Sequence, residues 1–233
     1  MRYAIISAGQ GSRLAAEGFS KPKPLVPLAG MPMIERLAGI FMRCGAERIA
    51  VIVNSQHRET VDLLENMAAR MPIDLVVKDT PSPMHSLMEL VPYLKGGKFC
   101  VTTVDTVFDE RRFAAMTDSF LTSDYDGMMG VTALVDDEKP LYVGTDSDMM
   151  ITGFHDEKGD CRFVSAGIYA LTPVALDILA GCVESGNLRM RHFQRRLLAA
   201  GLKLKAFDMG RVIDVDHVSD VQKAEYEISC SKS

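Results

Sequence analysis

The sequence predicts an α/β protein, a three-layer α/β/α sandwich around a mixed, mostly parallel sheet, with a small β-rich lobe from its second half. Three observations lead there. Short runs rich in Val and Ile alternate with helical segments up to residue 104, the pattern of βαβ units. The apolar start Tyr3–Ser7 runs straight into Ala8-Gly9-Gln10-Gly11-Ser12-Arg13, and parallel sheets take their ligands at the carboxyl ends of strands. After residue 120, strand-like runs separated by polar turns take over.

Each element follows from its residues. Tyr3–Ser7 reads as the first strand. Met33–Cys44 reads as a helix with Ile34, Leu37 and Phe41 on one face and Gly45 as its stop. Arg48–Val53 is the next strand, His57–Arg70 a helix carried by Val61, Leu64 and Ala68, and Ile73–Val77 a strand. Met84–Leu94 has helical character, with Pro92 expected to break or kink it. Lys98–Val104 is a strand that ends at Asp105. In the second half, Tyr125–Leu134, Leu141–Gly144, Met149–His155 and Arg162–Leu171 read as strands, and Pro173–Ala180 and Arg189–Ala200 as helices. Leu202–Phe207 and Val212–Ile213 are strands, and Val218–Ile228 is a closing helix. Nothing in composition marks a linker or a repeat, so residues 1–233 read as one domain. About 1–120 form the glycine-loop half and about 121–233 the other half.

Composition excludes several classes. At 233 residues, with 47% hydrophobic and 24% charged residues, the chain suits an ordinary globular fold with a large core. A formal net charge of −5 argues against a general nucleic-acid binder. The five cysteines, Cys44, Cys100, Cys161, Cys182 and Cys230, show no metal or disulfide spacing and suit reduced thiols. The apolar start breaks at Ser7, and no run has the length of a membrane span. A cytoplasmic protein without membrane partners is the expectation, and a homo-oligomer stays open.

Three charged positions suggest phosphate chemistry. Glycines let a backbone approach phosphates without Cβ interference, and consecutive amides form anion-binding nests. Arg13 sits in that loop, where a guanidinium can grip two phosphate oxygens. Lys23 stands between Pro22 and Pro24 on a stiff segment that limits its wandering. Asp105 ends a buried strand, which is costly for a carboxylate unless it is solvated, paired or bound to a cation. Magnesium is the cation expected with a nucleotide. The competing reading is a helix N-cap, which Asp109 fits better than Asp105. The loop alone is weak. It lacks the Gly-Lys-Ser/Thr end of a P-loop and the third glycine of a dinucleotide fingerprint.

Taken together, Ala8–Leu14, Pro22–Pro27 and Gly30-Met31-Pro32-Met33-Ile34 resemble the signature of the sugar-phosphate nucleotidyltransferase family. These enzymes have a Rossmann-like, GT-A-like fold. The close match covers about the first thirty-five residues, and the motif is specific for the superfamily rather than for a substrate.

The resemblance implies a Mg2+-dependent reaction between an NTP and a phosphorylated acceptor, typically a sugar 1-phosphate, that yields an NDP-sugar and pyrophosphate. It implies Arg13 on the leaving pyrophosphate, Lys23 on the α-phosphate, and Ala8, Gly9, Gly11 and Ser12 around the nucleotide. Asp105 would be one metal ligand, although Val104 stands where the family often has glycine. Val212-Ile213-Asp214-Val215-Asp216-His217-Val218-Ser219-Asp220 resembles the family's late acidic element, which makes Asp216 the second ligand and Asp214 its understudy. Capping of the last helix by Asp216 or Ser219 is the alternative. His217 suits the surface better than a metal.

Thr80-Pro81-Ser82-Pro83-Met84-His85-Ser86 lies where the family reads the base, with Thr80 and Ser86 as candidates and His85 either a substrate contact or a helix-start residue. Glu157 and Lys158, followed by Gly167, are similar to an acceptor-binding element. Asp156–Asp160 equally fits an ordinary hairpin turn. Two rival functions keep the fold. One is a cytidylyltransferase-type enzyme for phosphocholine or another alcohol phosphate. The other is a catalytically silent nucleotide-sugar sensor.

Overall fold

Alternate side chains of β1 (Arg2–Ser7) feed two different cores, and this sets the layers. A strand directs successive side chains to opposite faces. Tyr3 and Ile5 join one buried cluster; Ala4 and Ile6 join another. The first is covered by α2 (Met33–Arg43), α3 (Arg58–Ala68), α5 (Glu110–Thr122) and α8 (Val218–Cys230). The second is covered by α4 (Pro83–Leu94), α6 (Val174–Glu184) and α7 (Met190–Ala199). Helices on both faces of one sheet make the sandwich that the alternation predicts. This computed structural model describes residues 1–9, 12–135, 139–186 and 188–230.

Among the described residues nine strands join the central sheet. β1 pairs in parallel with β4 (Arg48–Val53) and β6 (Phe99–Thr103), and β4 with β5 (Ile73–Val77). The β-rich second half builds onto the same sheet. β11 (Phe163–Leu171) runs antiparallel to β6, to β8 (Gly127–Thr132) and to β9 (Tyr142–Thr145), while β10 (Ile151–His155) pairs β9 and β12 (Leu204–Asp208) pairs β8. Tyr169 faces Val101 and Leu171 faces Phe99, so the earlier part of β11 runs past the carboxyl end of β6. There β11 shifts register between Ser165 and Tyr169, and Gly167 takes a left-handed φ of 70° that favours glycine. β9, β10 and this overhang stand above the strand ends where a ligand would sit.

Two short ribbons complete the fold. β2 (Pro27–Leu28) pairs β3 (Met31–Pro32), and β7 (Thr106–Phe108) pairs β13 (Val212–Asp214). Phe108 of β7 stacks on Phe113 of α5 at 4.7 Å, Phe113 on Phe41 of α2 at 5.5 Å, and Phe41 on Tyr3 at 4.4 Å. This aromatic chain ties the ribbon after Asp105 to the centre of the sheet. Truncating one such buried Phe typically costs ~3–5 kcal/mol.

Two expectations are corrected. Helix α4 continues through Pro92 to Leu94. The helix is not broken there: the proline lies in the last turn, where little helix remains beyond its missing N–H and the clash of its ring with the carbonyl of Met88. Residues 110–122, not singled out as a helix from sequence, form α5, with the Asp109 carboxylate capping it by accepting from the Arg112 N–H at 2.8 Å.

Candidate active site

The β7–β13 ribbon explains how two distant carboxylates meet. Thr106 faces Asp214 in its ladder. Asp105 is the residue before the ribbon on one side and Asp216 lies just beyond it on the other. The Val215 N–H donates to the Asp105 carbonyl at 3.0 Å, which fixes the register of the two chains. Lys23, on a single 3₁₀ turn over Lys23–Leu25, reaches between them. Its ammonium bonds Asp105, and it bonds the Asp216 Oδ1 at 2.5 Å. Arg13, in the short helix α1 (Ser12–Ala16), donates to the Asp216 Oδ2 at 2.7 Å. Residues about two hundred positions apart in sequence thus form one quartet of two carboxylates and two cations.

The quartet grades from inside to outside. The Lys23 side chain is 12% exposed and that of Asp105 20%, against 38% for Asp216 and 54% for Arg13. Burial acts to lower the Lys23 pKa, but Asp105 and then Asp216 outweigh it and hold the ammonium above the ordinary lysine value. Burial acts to raise Asp216, yet Lys23 and then Arg13 hold it below the usual carboxylate range. Asp214 behaves oppositely. Burial and then the negative charge of Asp105 push its carboxyl up to about 7. Solvent reaches the Asp214 side chain, so the neighbouring charge is the firmer of these two causes.

A cleft of ≈ 380 Å³ opens onto the quartet at the carboxyl ends of β1 and β6. Its lining includes Ser7, Gly9, Arg13, Lys23, Asp105 and Asp216. The Asp105 Oδ1 is buried without a hydrogen-bond partner among the described residues. An unpartnered carboxylate oxygen, with a second carboxylate on the same ammonium, is a hard oxygen donor set that fits magnesium, which takes one or two carboxylates and completes its sphere with phosphates and waters. No larger acidic or imidazole cluster gathers among the described residues.

The remaining candidates are placed as follows. Ala8 is buried and Gly9 lines the cleft, with open space where a Cβ would stand. Ser12 opens α1, and Gly11 lies outside the described residues. Thr80 and Ser86 bond each other through their hydroxyls at 2.6 Å, and Ser86 is buried. Neither lines the cleft; Pro83 does. Ser82 caps α4 and also bonds the His85 Nδ1 at 2.9 Å, which places His85 at the helix start. Gly167 stands beside Thr106, at 3.6 Å from where its Cβ would be to that hydroxyl. Glu157 and Lys158 are exposed in the turn after β10 and are not part of the cleft lining.

Two supporting residues escaped the sequence reading. Asp220, three positions after His217, accepts from the His217 N–H at 2.9 Å and the Asp216 N–H at 3.3 Å, the backward reach of a capping box. Glu17 accepts from the Val218 N–H at 2.8 Å and bonds His217 at 2.5 Å, so it clamps the end of α1 to the start of α8. Neither Asp216 nor Ser219 supplies the cap. The spacing of Asp220 was a readable signal. Glu17 had none, since its partner is 201 positions away.

An α/β sandwich with a glycine loop, two cations and two carboxylates at its strand ends belongs to the nucleotide-handling proteins. Over residues 3–167 the chain matches the MobA-like NTP transferase domain, and it belongs to that family. It is 24% identical over 232 residues to the bifunctional protein GlmU of Methanococcus vannielii, covering 92% of this chain and 53% of that protein. It is 30% identical over 110 residues to the 2-aminoethylphosphonate cytidylyltransferase of Lancefieldella rimae, covering 46% of this chain and 43% of that protein. The chain therefore spans about half the length of the curated relatives it matches. The inositol-1-phosphate CTP transferase from T. maritima shares the fold, with a TM-score of 0.83, 20% identity and coverage of 100% of this chain and 97% of that one. Among the described residues no helix is long and apolar enough to cross a membrane.

Proposed function

We propose that this chain transfers a nucleotidyl group from an NTP to a phosphorylated small-molecule acceptor, with a sugar 1-phosphate as the leading class. The observation that carries the reading is Lys23 held between Asp105 and Asp216 at the floor of the cleft. An acceptor phosphate oxygen attacks the α-phosphorus. The bond from that phosphorus to the bridging oxygen breaks, and pyrophosphate leaves with the electron pair. The attacking phosphate is already anionic near neutral pH, so no general base is required.

Catalysis rests on positioning and charge neutralisation. Lys23 meets the α-phosphate, and Arg13, the most exposed of the quartet, meets the departing pyrophosphate. The amides around Ala8, Gly9, Gly11 and Ser12 cradle the nucleotide. Asp105 and Asp216 would hold Mg2+, with Asp214 in reserve, and the ion would supply neutralisation of phosphate charge. The overhang around Gly167 forms the acceptor wall. Glu157 and Lys158 belong to its outer rim, and Thr80 and Ser86 shape the far side of the base pocket behind Pro83.

A second reading keeps the site and changes the acceptor to an alcohol phosphate or phosphonate with CTP as donor. The similarity to a 2-aminoethylphosphonate cytidylyltransferase favours it. One assay separates these readings. Pyrophosphate release is measured with magnesium across CTP, UTP, GTP, dTTP and ATP against sugar 1-phosphates, phosphocholine and 2-aminoethylphosphonate. Release with one NTP and a sugar 1-phosphate, abolished by EDTA, is expected. Release only with CTP and an amino-alcohol phosphate or phosphonate selects the second reading. Nucleotide binding without release from any pair would replace both by a sensor.

A further inference from the structure

Ser7 is the last residue of β1, and its side chain is anomalous for its place. It is 5% exposed, and its Oγ is buried with no hydrogen-bond partner among the described residues. A buried hydroxyl left unpaired costs more than the hydrogen bond it lacks, because its lost hydration is not replaced. Such a group, following Tyr3, Ala4, Ile5 and Ile6 in β1, calls for a partner that the described residues do not supply.

Its position says what kind of partner. Ser7 lines the cleft together with Gly9, Arg13, Leu14, Lys23 and Pro24. It pairs with Val53 in the parallel ladder, as Tyr3 does with Ile49 and Ile5 with Val51. All three of those partners belong to the core on the α2 side, which also holds Leu14 and Leu25. Ser7 therefore faces the layer that carries Lys23. The α4 layer, with Met84, Leu87 and the Thr80–Ser86 pair, lies behind the other face of β1. A hydroxyl on the cation side of the cleft meets phosphate, not base.

We propose that Ser7 is a further substrate-binding residue, whose hydroxyl donates to a phosphate oxygen of the bound nucleotide. This rests on the cleft being a nucleotide site. The serine is thus unsatisfied while the cleft lacks ligand and satisfied once phosphate arrives. Removing it should act in opposite directions on folding and on binding, a signature that a merely structural serine does not give.

The experiment uses the whole chain and inorganic tripolyphosphate with magnesium as a base-free probe. Titration calorimetry and thermal unfolding compare wild type, Ser7→Ala, Ser7→Cys and Lys23→Ala. Ser7→Ala is expected to bind tripolyphosphate roughly 10-fold more weakly, since hydrogen bonds to charged groups are the stronger kind. Its thermal midpoint without ligand should equal that of wild type or exceed it by about 2–4 °C. Ser7→Cys, similar in shape but a poor donor, should lose affinity in parallel. Unchanged affinity in Ser7→Ala while Lys23→Ala binds more weakly overturns the proposal and leaves the nucleotide site standing. A lowered midpoint in Ser7→Ala also overturns it, because the hydroxyl then has a partner in the free chain. Tripolyphosphate binding that is absent from wild type, or indifferent to Lys23, overturns the nucleotide reading and this proposal with it.

Discussion

Two charged clusters in this molecule have nearly the same composition and opposite settings. In the cleft, Asp105 and Asp216 share Lys23, and Asp216 also takes Arg13. At the turn after β10, Asp156 takes both Arg191 and Arg195 of α7, at 2.8 and 2.9 Å. The turn cluster has good geometry, yet its carboxylate is 60% exposed, and its neighbours Glu157 and Lys158 are open to solvent. The cleft cluster has an orphaned carboxylate oxygen and an ammonium shut between two acids. A surface ion pair is worth little because water does most of its work. A recessed one is poised, because each group is only partly answered by its neighbours. The unmet demand of the cleft, more than its charge count, marks it as the site for a ligand.

The largest expected effect breaks the cleft cluster at its deepest acid. Asp105→Ala should lower the rate of pyrophosphate release by about 10²–10³, the usual cost of deleting one preorganised electrostatic group. Near-normal turnover would remove Asp105 from the chemistry. Removing the shared cation is the next test. Lys23→Ala should slow turnover by about 10². It also leaves Asp105, Asp214 and Asp216 facing one another, so the thermal midpoint without metal should fall. Magnesium should then raise that midpoint more than it does in wild type, because no ammonium competes for the same oxygens. Equal magnesium stabilisation in the two proteins would show that the ion does not sit where Lys23 does.

The same contrast decides what was legible in the sequence. Arg13, Lys23 and Asp105 lie in short stretches whose local pattern already says loop, stiff segment and strand end. The layers were legible for a similar reason, since a period of two in β1 and of three to four in α2 is written in consecutive residues. What escaped depends on the fold closing. Glu17 clamps α8 across the whole length of the chain. The unpaired state of Ser7 appears only once its surroundings are known. Helix α5 was missed although Asp109 stood out as a cap, because strand signals on either side of it dominated. Pro92 was overweighted, since its cost depends on how much helix follows it.

The exposed turn offers the smaller effects. Lys158→Ala should change kcat less than about 2-fold, with any effect confined to the KM for the acceptor, because the ammonium stands outside the cleft lining. A kcat loss comparable to that of Lys23→Ala would move the turn into the catalytic cluster and erase the contrast between the two.

The smallest effect concerns Asp156 itself and tests the contrast through pH. Hydrogen bonds from Arg195 and then Arg191 hold its carboxyl below the ordinary value of 3.8. A carboxyl depressed in the folded state contributes stability above its unfolded pKa and loses it as the pH falls through the folded value. The side chain is open to water, so the contribution is small and screened by salt. Asp156→Asn should therefore shift the thermal midpoint by less than about 2 °C near neutral pH. The gap from wild type should close as the pH drops below 3.8 and as salt is raised. A gap that persists in acid would mean that Asp156 acts by shape and hydrogen bonding, not by charge. A gap of many degrees would show that this turn, like the cleft, holds a carboxylate partly shielded from water.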